Sequence, residues 1–316
     1  INADRFILFM RDKDCRTLEP RLQCLCQDLC NLSTKLNIPR VFPLCGVYET
    51  TDHREVEQNY GKAVQAKYLV KGKRTAHYAF YDELDIQQLS EDRLMEDAFD
   101  DALKNGEFQL WYQPKVDPVK GNILGAEALI RWKRPDGTML SPGKFIPLFE
   151  KNGFITQLDR YVWEQVCSLL HDWKQKGYPD IAVSVNVSRA DVCQDNLADT
   201  LRDITRKYGV NPAYLHLEIT ETAYNANPGL IISAVDALRK QGFIIEMDDF
   251  GSGYSSLNML GQMNLDILKL DMTFVQNETL KSSELSILHD IITMANRLNL
   301  NVVAEGVETQ QQLSRL

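Results

Sequence analysis

Short apolar runs alternate with longer amphipathic stretches along most of the chain after about residue 108. Runs of this length favour β-strands, and apolar positions that recur every three or four residues favour helices. Strand and helix in regular alternation predict a parallel sheet. The seven predicted strands contain FQLWYQP, ILGAEALIRW, IAVSVNVS, YLHLEIT, GFIIEMDD, LDILKLD and NVVAEG, and helices are predicted at DRYVWEQVCSLLHDWKQKG, DNLADTLRDITRKYG, GLIISAVDALRKQG and SSELSILHDIITMANRLN.

A polar residue lies near the end of each predicted strand, inside an otherwise apolar run. This pattern favours a barrel over an open doubly wound sheet, because barrel enzymes gather their sites at the carboxyl ends of the strands. The predicted fold is therefore α/β, a TIM-like (β/α)8 barrel. Seven strands are one short of eight, and Leu316 falls in the helix after the seventh, so the last strand is expected to be missing.

The first 82 residues have a different pattern and predict a smaller, partial α+β domain. DRFILFM and RVFPLCGVYE are typical of strands, whereas PRLQCLCQDLCNLSTKLN and EVEQNYGKAVQAKYLVKG are typical of helices. The acidic residues 83–107 contain no glycine or proline before Gly106 and predict a connecting helix. The expected domains are 1–82, a linker helix at 83–94, and the barrel at 95–316.

Composition narrows the classes of partner and compartment. A net charge of −9 argues against binding to nucleic-acid polymers, which need a basic face. Seven cysteines are an odd number, and CLCQDLC at 24–30 lacks the CxxC pair and nearby histidine that a zinc site favours. Ordinary thiols of a reducing compartment are expected instead, and no signal peptide is recognisable at residue 1. The chain is therefore expected to be cytoplasmic.

Side chains alternate along a strand, so parity shows which polar residues share a face. Glu127 and Arg131 share one face of their strand, and Lys269 and Asp271 share one face of theirs. Asn186 and Glu218 each lie opposite flanking apolar residues. In a barrel these polar faces would point inward and meet at one rim.

Four of the inward groups are hard oxygen donors, namely Glu127, Asn186, Glu218 and Asp248. Converging carboxylates repel one another unless a cation lies among them, so a divalent metal site is expected. Asp249 would bind a second, neighbouring ion if the backbone turns at the end of its strand, and two such ions suit phosphodiester hydrolysis. Taken singly, DD before GSG also fits an ordinary strand-to-turn boundary, GSGYSS resembles a broken nucleotide-binding loop, and Lys269 has Asp271 as an alternative partner.

Six motifs together resemble the EAL family of cyclic di-GMP phosphodiesterases over about residues 95–316. They are Glu127-Ala128-Leu129 with Arg131-Trp132, Asn186-Val187-Ser188, Glu218-Ile219-Thr220-Glu221, DDFGSGYSS at 248–256, Lys269-Leu270-Asp271 and Glu305-Gly306-Val307-Glu308. The resemblance implies a TIM-like barrel that hydrolyses cyclic di-GMP to linear pGpG with two Mg²⁺ or Mn²⁺ ions, and Ca²⁺ is expected to inhibit.

The resemblance also implies a role for each site residue. Glu127, Asn186, Glu218 and Asp248 would bind the first metal, and Asp248 with Asp249 the second. Lys269 would orient or activate the attacking water, Glu305 would act as general base or metal partner, and Glu221 would brace the DDFGSGYSS loop. Gln113 and Arg131 match positions that touch the guanine and the phosphate of the substrate.

The early segment resembles part of a diguanylate cyclase, or GGDEF, domain. NADRF at 2–6 stands where GGDEF would be, and AVQAKYLVKGK resembles the end of that domain. The loop glycines are replaced by Asn2 and Ala3, and the signature glutamate by Arg5, so cyclase activity is not expected. The expected role of this segment is regulation or dimer contact. The phosphodiesterase is also expected to form a homodimer and to have an upstream sensor domain.

Two other functions fit parts of the pattern. A receptor that binds cyclic di-GMP without cleaving it needs the pocket, yet it need not retain the whole set of acidic residues with Lys269. An unrelated barrel enzyme acting on a sugar or acyl substrate uses two carboxylates and no paired cations. Metal titration and chelation distinguish these functions.

Overall fold

The computed structural model describes residues 6–9, 15–37, 42–50, 54–71, 77–251, 257–276, 282–314 and 316. The chain divides into two compact units, Ile1–Asp97 and Ala98–Leu316. The predicted acidic helix is present as α3 (Glu83–Asn105), and the division between the units falls inside it. The domain bounds expected from the sequence stay a prediction.

In its described residues, the first unit contains two helices, the first part of α3 and a short pair of parallel strands. α1 covers Cys15–Lys35, α2 covers Val56–Tyr68, and β1 (Cys45–Val47) pairs with β2 (Tyr78–Phe80). β1 lies so close to α2 that a Cβ on Gly46 would be 1.8 Å from the carbonyl oxygen of Ala63. Glycine at this position therefore permits the packing of strand on helix.

The two helices predicted in this unit are confirmed, and so is a strand within RVFPLCGVYE. The strand predicted at DRFILFM is wrong over its described residues 6–9, which form neither helix nor strand. A strand needs hydrogen bonds from a neighbour, and in the described part of this unit β1 pairs with β2. NADRF lies outside the described residues except for Phe6, so the GGDEF-like resemblance stays a prediction.

Eight strands lie in the described residues of the second unit, and a helix or loop follows most of them. The strands are β3 (Phe108–Val116), β4 (Ile123–Lys133), β5 (Met139–Leu140), β6 (Ala182–Asn186), β7 (Leu215–Thr220), β8 (Ile244–Phe250), β9 (Ile267–Leu270) and β10 (Asn301–Ala304). The helices are α4 (Pro142–Asn152), α5 (Ile155–Gln175), α6 (Arg189–Val192), α7 (Leu197–Tyr208), α8 (Glu221–Ala226), α9 (Pro228–Lys240), α10 (Leu257–Gln262), α11 (Thr273–Gln276), α12 (Ser282–Arg297) and α13 (Gln310–Leu313), with a 3-10 turn at Pro212–Tyr214.

The strands form one sheet in the order β10-β9-β8-β7-β6-β4-β3, with β5 paired to β4. All seven strands predicted for this region are confirmed, and β4, β6, β7, β8, β9 and β10 pair in parallel. The prediction of a parallel sheet is wrong for β3, which runs antiparallel to β4. Residues 117–122 connect these two strands, and a parallel crossover needs about a dozen residues or more.

The sheet curls strongly, like half of a barrel. Lys115 on β3 and Glu246 on β8 are separated by four strand-to-strand steps, which on a flat sheet would span about 19 Å. Their side chains are nevertheless 2.5 Å apart, from Nζ to Oε2. The inner faces of distant strands therefore meet inside the curve. In the described residues β10 and β3 do not pair with each other.

The outer face of the sheet packs against the helices and forms the hydrophobic core. Alternate residues of the strands point there, as the predicted alternation requires, and they include Val183, Val185, Leu215, Leu217, Ile219, Ile245, Met247, Leu268 and Leu270. The four helices predicted between the strands are confirmed as α5, α7, α9 and α12. Among the described residues, every helix is too short or too polar to cross a membrane.

Candidate active site

The ammonium group of Lys269 lies among four carboxylates. Its Nζ is 2.8 Å from Asp248 Oδ1, 2.9 Å from Glu305 Oε1, 3.0 Å from Glu127 Oε2 and 3.1 Å from Glu218 Oε2. Lys269 is 1% exposed and Glu218 is fully buried. These five residues and Asp249 are called the outer cluster below.

Separate strands supply the outer cluster. Glu127 lies on β4, Glu218 on β7, Asp248 on β8 and Lys269 on β9, while Glu305 follows the last residue of β10. The carboxyl ends of parallel strands lie at the same edge of a sheet, and the curl brings their inner faces together. Residues that are up to 178 positions apart in sequence therefore meet around one ammonium group.

A β-bulge allows the carboxylates of the neighbouring residues Asp248 and Asp249 to lie close together. On a regular strand, neighbouring side chains point to opposite faces. The pairing of β8 with β9 shifts register between Met247 and Phe250, and Asp249 has a left-handed φ of 54°. One carboxylate oxygen from each of Asp248, Asp249 and Glu305 then lies within 4.8 Å of the others.

Glu221 links the turn after β8 to the helix after β7. It is the first residue of α8, it is 1% exposed, and its Oε2 accepts a hydrogen bond of 3.2 Å from the backbone N–H of Gly251. Gly251 follows β8 directly and has a φ of 95°. The contact holds the chain two residues after Asp249, whereas residues 252–256 of the DDFGSGYSS motif lie outside the described part of the chain.

The substitution Gly251→Ala is expected to destabilise this turn. A Cβ would lie 2.0 Å and 2.2 Å from two ring atoms of Phe274, and the backbone is left-handed. We expect urea denaturation to show a loss of about 1–3 kcal/mol in the free energy of unfolding. Gly261→Ala in α10 is the control, because its Cβ would meet nothing within 4 Å. Equal stability of Gly251→Ala and the wild type would contradict the tight turn.

Burial and mutual repulsion shift the pKa values of the outer cluster. Burial raises the pKa of Glu218 to about 8, against the attraction of Lys269. Burial and then the charge of Asp248 raise the pKa of Asp249 to about 6, and burial also raises the pKa of Glu305. Burial by itself would lower the pKa of Lys269, but the neighbouring carboxylates, Glu218 first, outweigh it and raise that pKa. The cluster therefore favours additional positive charge.

Two buried oxygens in the outer cluster are suited to a cation. Glu218 Oε2 and Asp248 Oδ1 lie 3.1 Å and 2.8 Å from Lys269 Nζ, and neither has a further hydrogen-bond donor among the described residues. Carboxylate oxygens are the ligands that hard divalent cations prefer. The outer cluster contains five carboxylates and one ammonium group, and this excess of negative charge fits a site for such ions. One set of oxygens surrounds Lys269, and Asp248, Asp249 and Glu305 form another.

The remaining predicted site residues lie on neighbouring strand positions. Asn186 ends β6 beside Glu218 on β7, its side chain is exposed, and its backbone oxygen accepts a hydrogen bond of 3.1 Å from Trp163 Nε1. Gln113 on β3 pairs with Glu127 on β4 and is also exposed. Arg131 lies further along β4, and its Nη1 donates to the carbonyl of Ile130. The roles of these residues stay predictions.

A second polar group inside the sheet was not predicted. It consists of Lys115, Ser184, His216 and Glu246, which are called the inner network below, and it joins the outer cluster at Glu218, whose Oε1 is 3.0 Å from Lys115 Nζ. Each member lies two positions from a predicted site residue on the same strand, respectively Gln113, Asn186, Glu218 and Asp248. The two-residue period of a strand is therefore the signal that could have found them.

Sequence comparison identifies a family and several relatives. The family model described as EAL domain matches residues 96–316. Cyclic di-GMP phosphodiesterase NbdA of Pseudomonas aeruginosa is 36% identical over 237 residues, which cover 75% of this chain and 30% of that protein. The probable cyclic di-GMP phosphodiesterase PdeB of Escherichia coli is 38% identical over 212 residues, which cover 67% and 40%. The chain thus spans less than half the length of these relatives.

Solved structures show the same architecture. The PaMucR phosphodiesterase in complex with c-di-GMP is 34% identical, with a TM-score of 0.66 over 71% of this chain and 90% of that one. The EAL enzyme Bd1971, with cAMP and cyclic di-GMP bound, is 27% identical, with a TM-score of 0.67 over 74% and 63%. Such structures are TIM-like barrels, and the sheet of this chain, with its helices, has the curl of half of such a barrel.

Proposed function

Because this chain belongs to the EAL domain family, we propose that it is a metal-dependent phosphodiesterase that hydrolyses cyclic di-GMP to linear 5′-pGpG. The observation that carries the proposal is the meeting of four carboxylates around Lys269, with Asp249 beside them. The names of NbdA and PdeB describe cyclic di-GMP phosphodiesterases, which supports the same activity here.

The charge of the site supports two divalent cations. The outer cluster and the inner network together contain six carboxylates and two ammonium groups, which leaves four negative charges when all are ionised. Two divalent cations would cancel this charge. Buried charge that is left uncompensated is costly, so binding of such ions would relieve the repulsion among the carboxylates.

The proposed ligands are divided between the two ions, which we take to be Mg²⁺ or Mn²⁺, with Ca²⁺ as an inhibitor. Ions bound there would polarise a phosphate oxygen and lower the pKa of a bound water. Lys269 would orient the attacking water, Glu305 would act as general base or metal partner, and Glu221 would hold the turn after Asp249. The proposed set is Glu127, Asn186, Glu218 and Asp248 for the first ion, and Asp248 and Asp249 for the second.

Gln113 and Arg131 are the proposed contacts to the nucleotide. Gln113 lies on β3, and Arg131 lies on the adjacent strand β4, which also contains Glu127. The exposed amide of Gln113 offers both a donor and an acceptor to a guanine edge. The guanidinium of Arg131 suits a phosphate oxygen, because its donors form a planar fork.

The decisive experiment is incubation of the chain with cyclic di-GMP and Mg²⁺ or Mn²⁺, followed by chromatography of the products. We expect pGpG to accumulate, and we expect EDTA or excess Ca²⁺ to stop it. Tight binding of intact cyclic di-GMP in excess Mg²⁺ and Mn²⁺ would instead support a receptor. Hydrolysis of a sugar or acyl substrate that survives chelation would contradict the two-metal proposal altogether.

The other expectations from the sequence remain proposals. A regulatory GGDEF-like unit at 1–82, a homodimer, an upstream sensor and a cytoplasmic location are compatible with a phosphodiesterase in second-messenger signalling. Size-exclusion chromatography with light scattering would test the homodimer directly.

A further inference from the structure

Lys115 makes a complete set of hydrogen bonds deep inside the curled sheet. Its Nζ donates to Ser184 Oγ at 2.6 Å, to Glu218 Oε1 at 3.0 Å and to Glu246 Oε2 at 2.5 Å. An ammonium group has three hydrogens, so these acceptors use all of them. The side chain of Lys115 is 15% exposed, and those of Glu218 and Glu246 are fully buried. The position of Lys115 is therefore strongly constrained.

Glu246 is held on its other side by two further donors. Its Oε1 accepts a hydrogen bond of 2.8 Å from Ser184 Oγ and lies 2.7 Å from His216 Nδ1. A carboxylate only accepts, so His216 carries its hydrogen on Nδ1. Burial would raise the pKa of Glu246, but the hydrogen bond from His216 and the charge of Lys115 outweigh it and lower that pKa to about 2.

The two carboxylate oxygens of Glu218 lie in different surroundings, one in the inner network and one in the outer cluster. Oε1 is hydrogen-bonded to Lys115, whereas Oε2 lies in the outer cluster, 3.1 Å from Lys269 Nζ, with no further hydrogen-bond donor among the described residues. With one oxygen fixed from the inside, the carboxylate group cannot turn away from the outer cluster. Glu218 is the one residue of the outer cluster whose carboxylate also contacts the ammonium group of Lys115 in the described residues.

Glu246 gives Lys115 a second anionic partner. Glu218 and Glu246 are direct neighbours in the pairing of β7 with β8, so their carboxylates would repel each other without a cation between them. Conversely, without Glu246 the whole charge of Lys115 would act on Glu218 and compete with a metal ion for it. The charges of Lys115 and Glu246 therefore cancel each other, and the negative charge of Glu218 stays available to a cation in the outer cluster.

We propose that Lys115 and Glu246 are positioning residues that orient Glu218 as a metal ligand, with Ser184 and His216 fixing Glu246. The inference rests on the proposed function, because it assigns Glu218 to a divalent cation. Groups that hold a metal ligand from behind typically change metal affinity by about 10–100-fold when they are removed. A network that only stabilised the sheet would change stability and leave metal affinity unaltered.

The test is Mn²⁺ binding by the purified full chain, measured from the electron paramagnetic resonance signal of free Mn²⁺. We expect Glu246→Gln and Lys115→Met each to raise the Kd by about tenfold or more. The double variant K115M/E246M is expected to regain stability, since apolar side chains often replace a buried ion pair without loss, but to bind Mn²⁺ as weakly as the single variants. The matched controls are Lys207→Met and Glu164→Gln, which break an ion pair of 2.9 Å on the surface.

Positioning also predicts a particular kinetic result. In Glu246→Gln the Mn²⁺ concentration at half-maximal turnover rises, whereas kcat at saturating Mn²⁺ stays within about threefold of the wild type because Glu246 touches no reacting group. If Glu246→Gln and Lys115→Met fail to fold, Ser184→Ala removes one contact to each and is expected to weaken Mn²⁺ binding by about threefold. Wild-type Mn²⁺ affinity in the folded variants would overturn the positioning proposal alone. A wild-type chain that binds no Mn²⁺ would overturn the proposed function as well.

Discussion

Replacing Asp249 with asparagine is expected to lower kcat for cyclic di-GMP by about a thousandfold, because an amide is a weaker ligand than a carboxylate for the second ion. Asn keeps the size of the side chain and tolerates the left-handed φ of 54° at this position. We therefore expect the variant to fold and to bind cyclic di-GMP in Ca²⁺ with nearly unchanged affinity. Turnover is measured by chromatography of pGpG, and nucleotide binding by calorimetry.

The control for Asp249→Asn is Asp236→Asn, an equivalent change on α9, where Asp236 Oδ1 accepts a hydrogen bond of 2.9 Å from Asn264. This variant is expected to keep its kcat. If Asp249→Asn turned over at the wild-type rate, Asp249 would not hold the second ion. Loss of both turnover and nucleotide binding would indicate that the substitution disturbs the pocket instead.

Removing the charge of Lys269 is expected to have the largest effect on the metal-free protein. Lys269→Met leaves four carboxylates around a buried position without their shared ammonium group. Breaking a buried ion pair from one side typically costs about 3–5 kcal/mol, so we expect a marked loss of unfolding free energy in EDTA. Turnover is expected to be lost as well, because the attacking water loses the group proposed to orient it.

Divalent cations are expected to restore much of the stability of Lys269→Met. Ions that bind only the folded state stabilise it, and the variant site carries one more uncompensated negative charge than the wild type. We therefore expect Mn²⁺ to raise the Tm of the variant by more than that of the wild type in thermal melts. Lys207→Met, on the surface of α7, is the control and should show no such difference. A metal-free Lys269→Met protein as stable as the wild type would contradict the neutralising role of Lys269.

The alternation of polar and apolar residues was enough to predict the strands and their inner faces. Glu127, Glu218, Asp248 and Lys269 were predicted to point away from the core, and the structure brings them together. The same alternation contained Lys115 and Glu246, but the sequence of one strand does not show which residues of other strands its polar side chains contact. Their contact depends on the curl of the sheet, which local sequence does not specify.

The alternation of polar and apolar residues does not predict two further features. The antiparallel direction of β3 follows from the short connection at 117–122, whereas the alternation of strands and helices carries no information on the direction of a single strand. The bulge at Asp248 and Asp249 depends on the register between β8 and β9, since an isolated strand has no register. A backbone turn at the strand's end was expected there, and the bulge is the form that it takes.

The sequence by itself determined the order of seven strands and four helices in the second unit, the faces on which Glu127 and Glu218 lie, and the family to which the chain belongs. These features depend on local periodicity and on motifs that are contiguous in the chain. Only the tertiary structure decided which charges meet, because the distance between two strands depends on how far the sheet curls. The same curl places Lys269 among four carboxylates and Lys115 between Glu218 and Glu246.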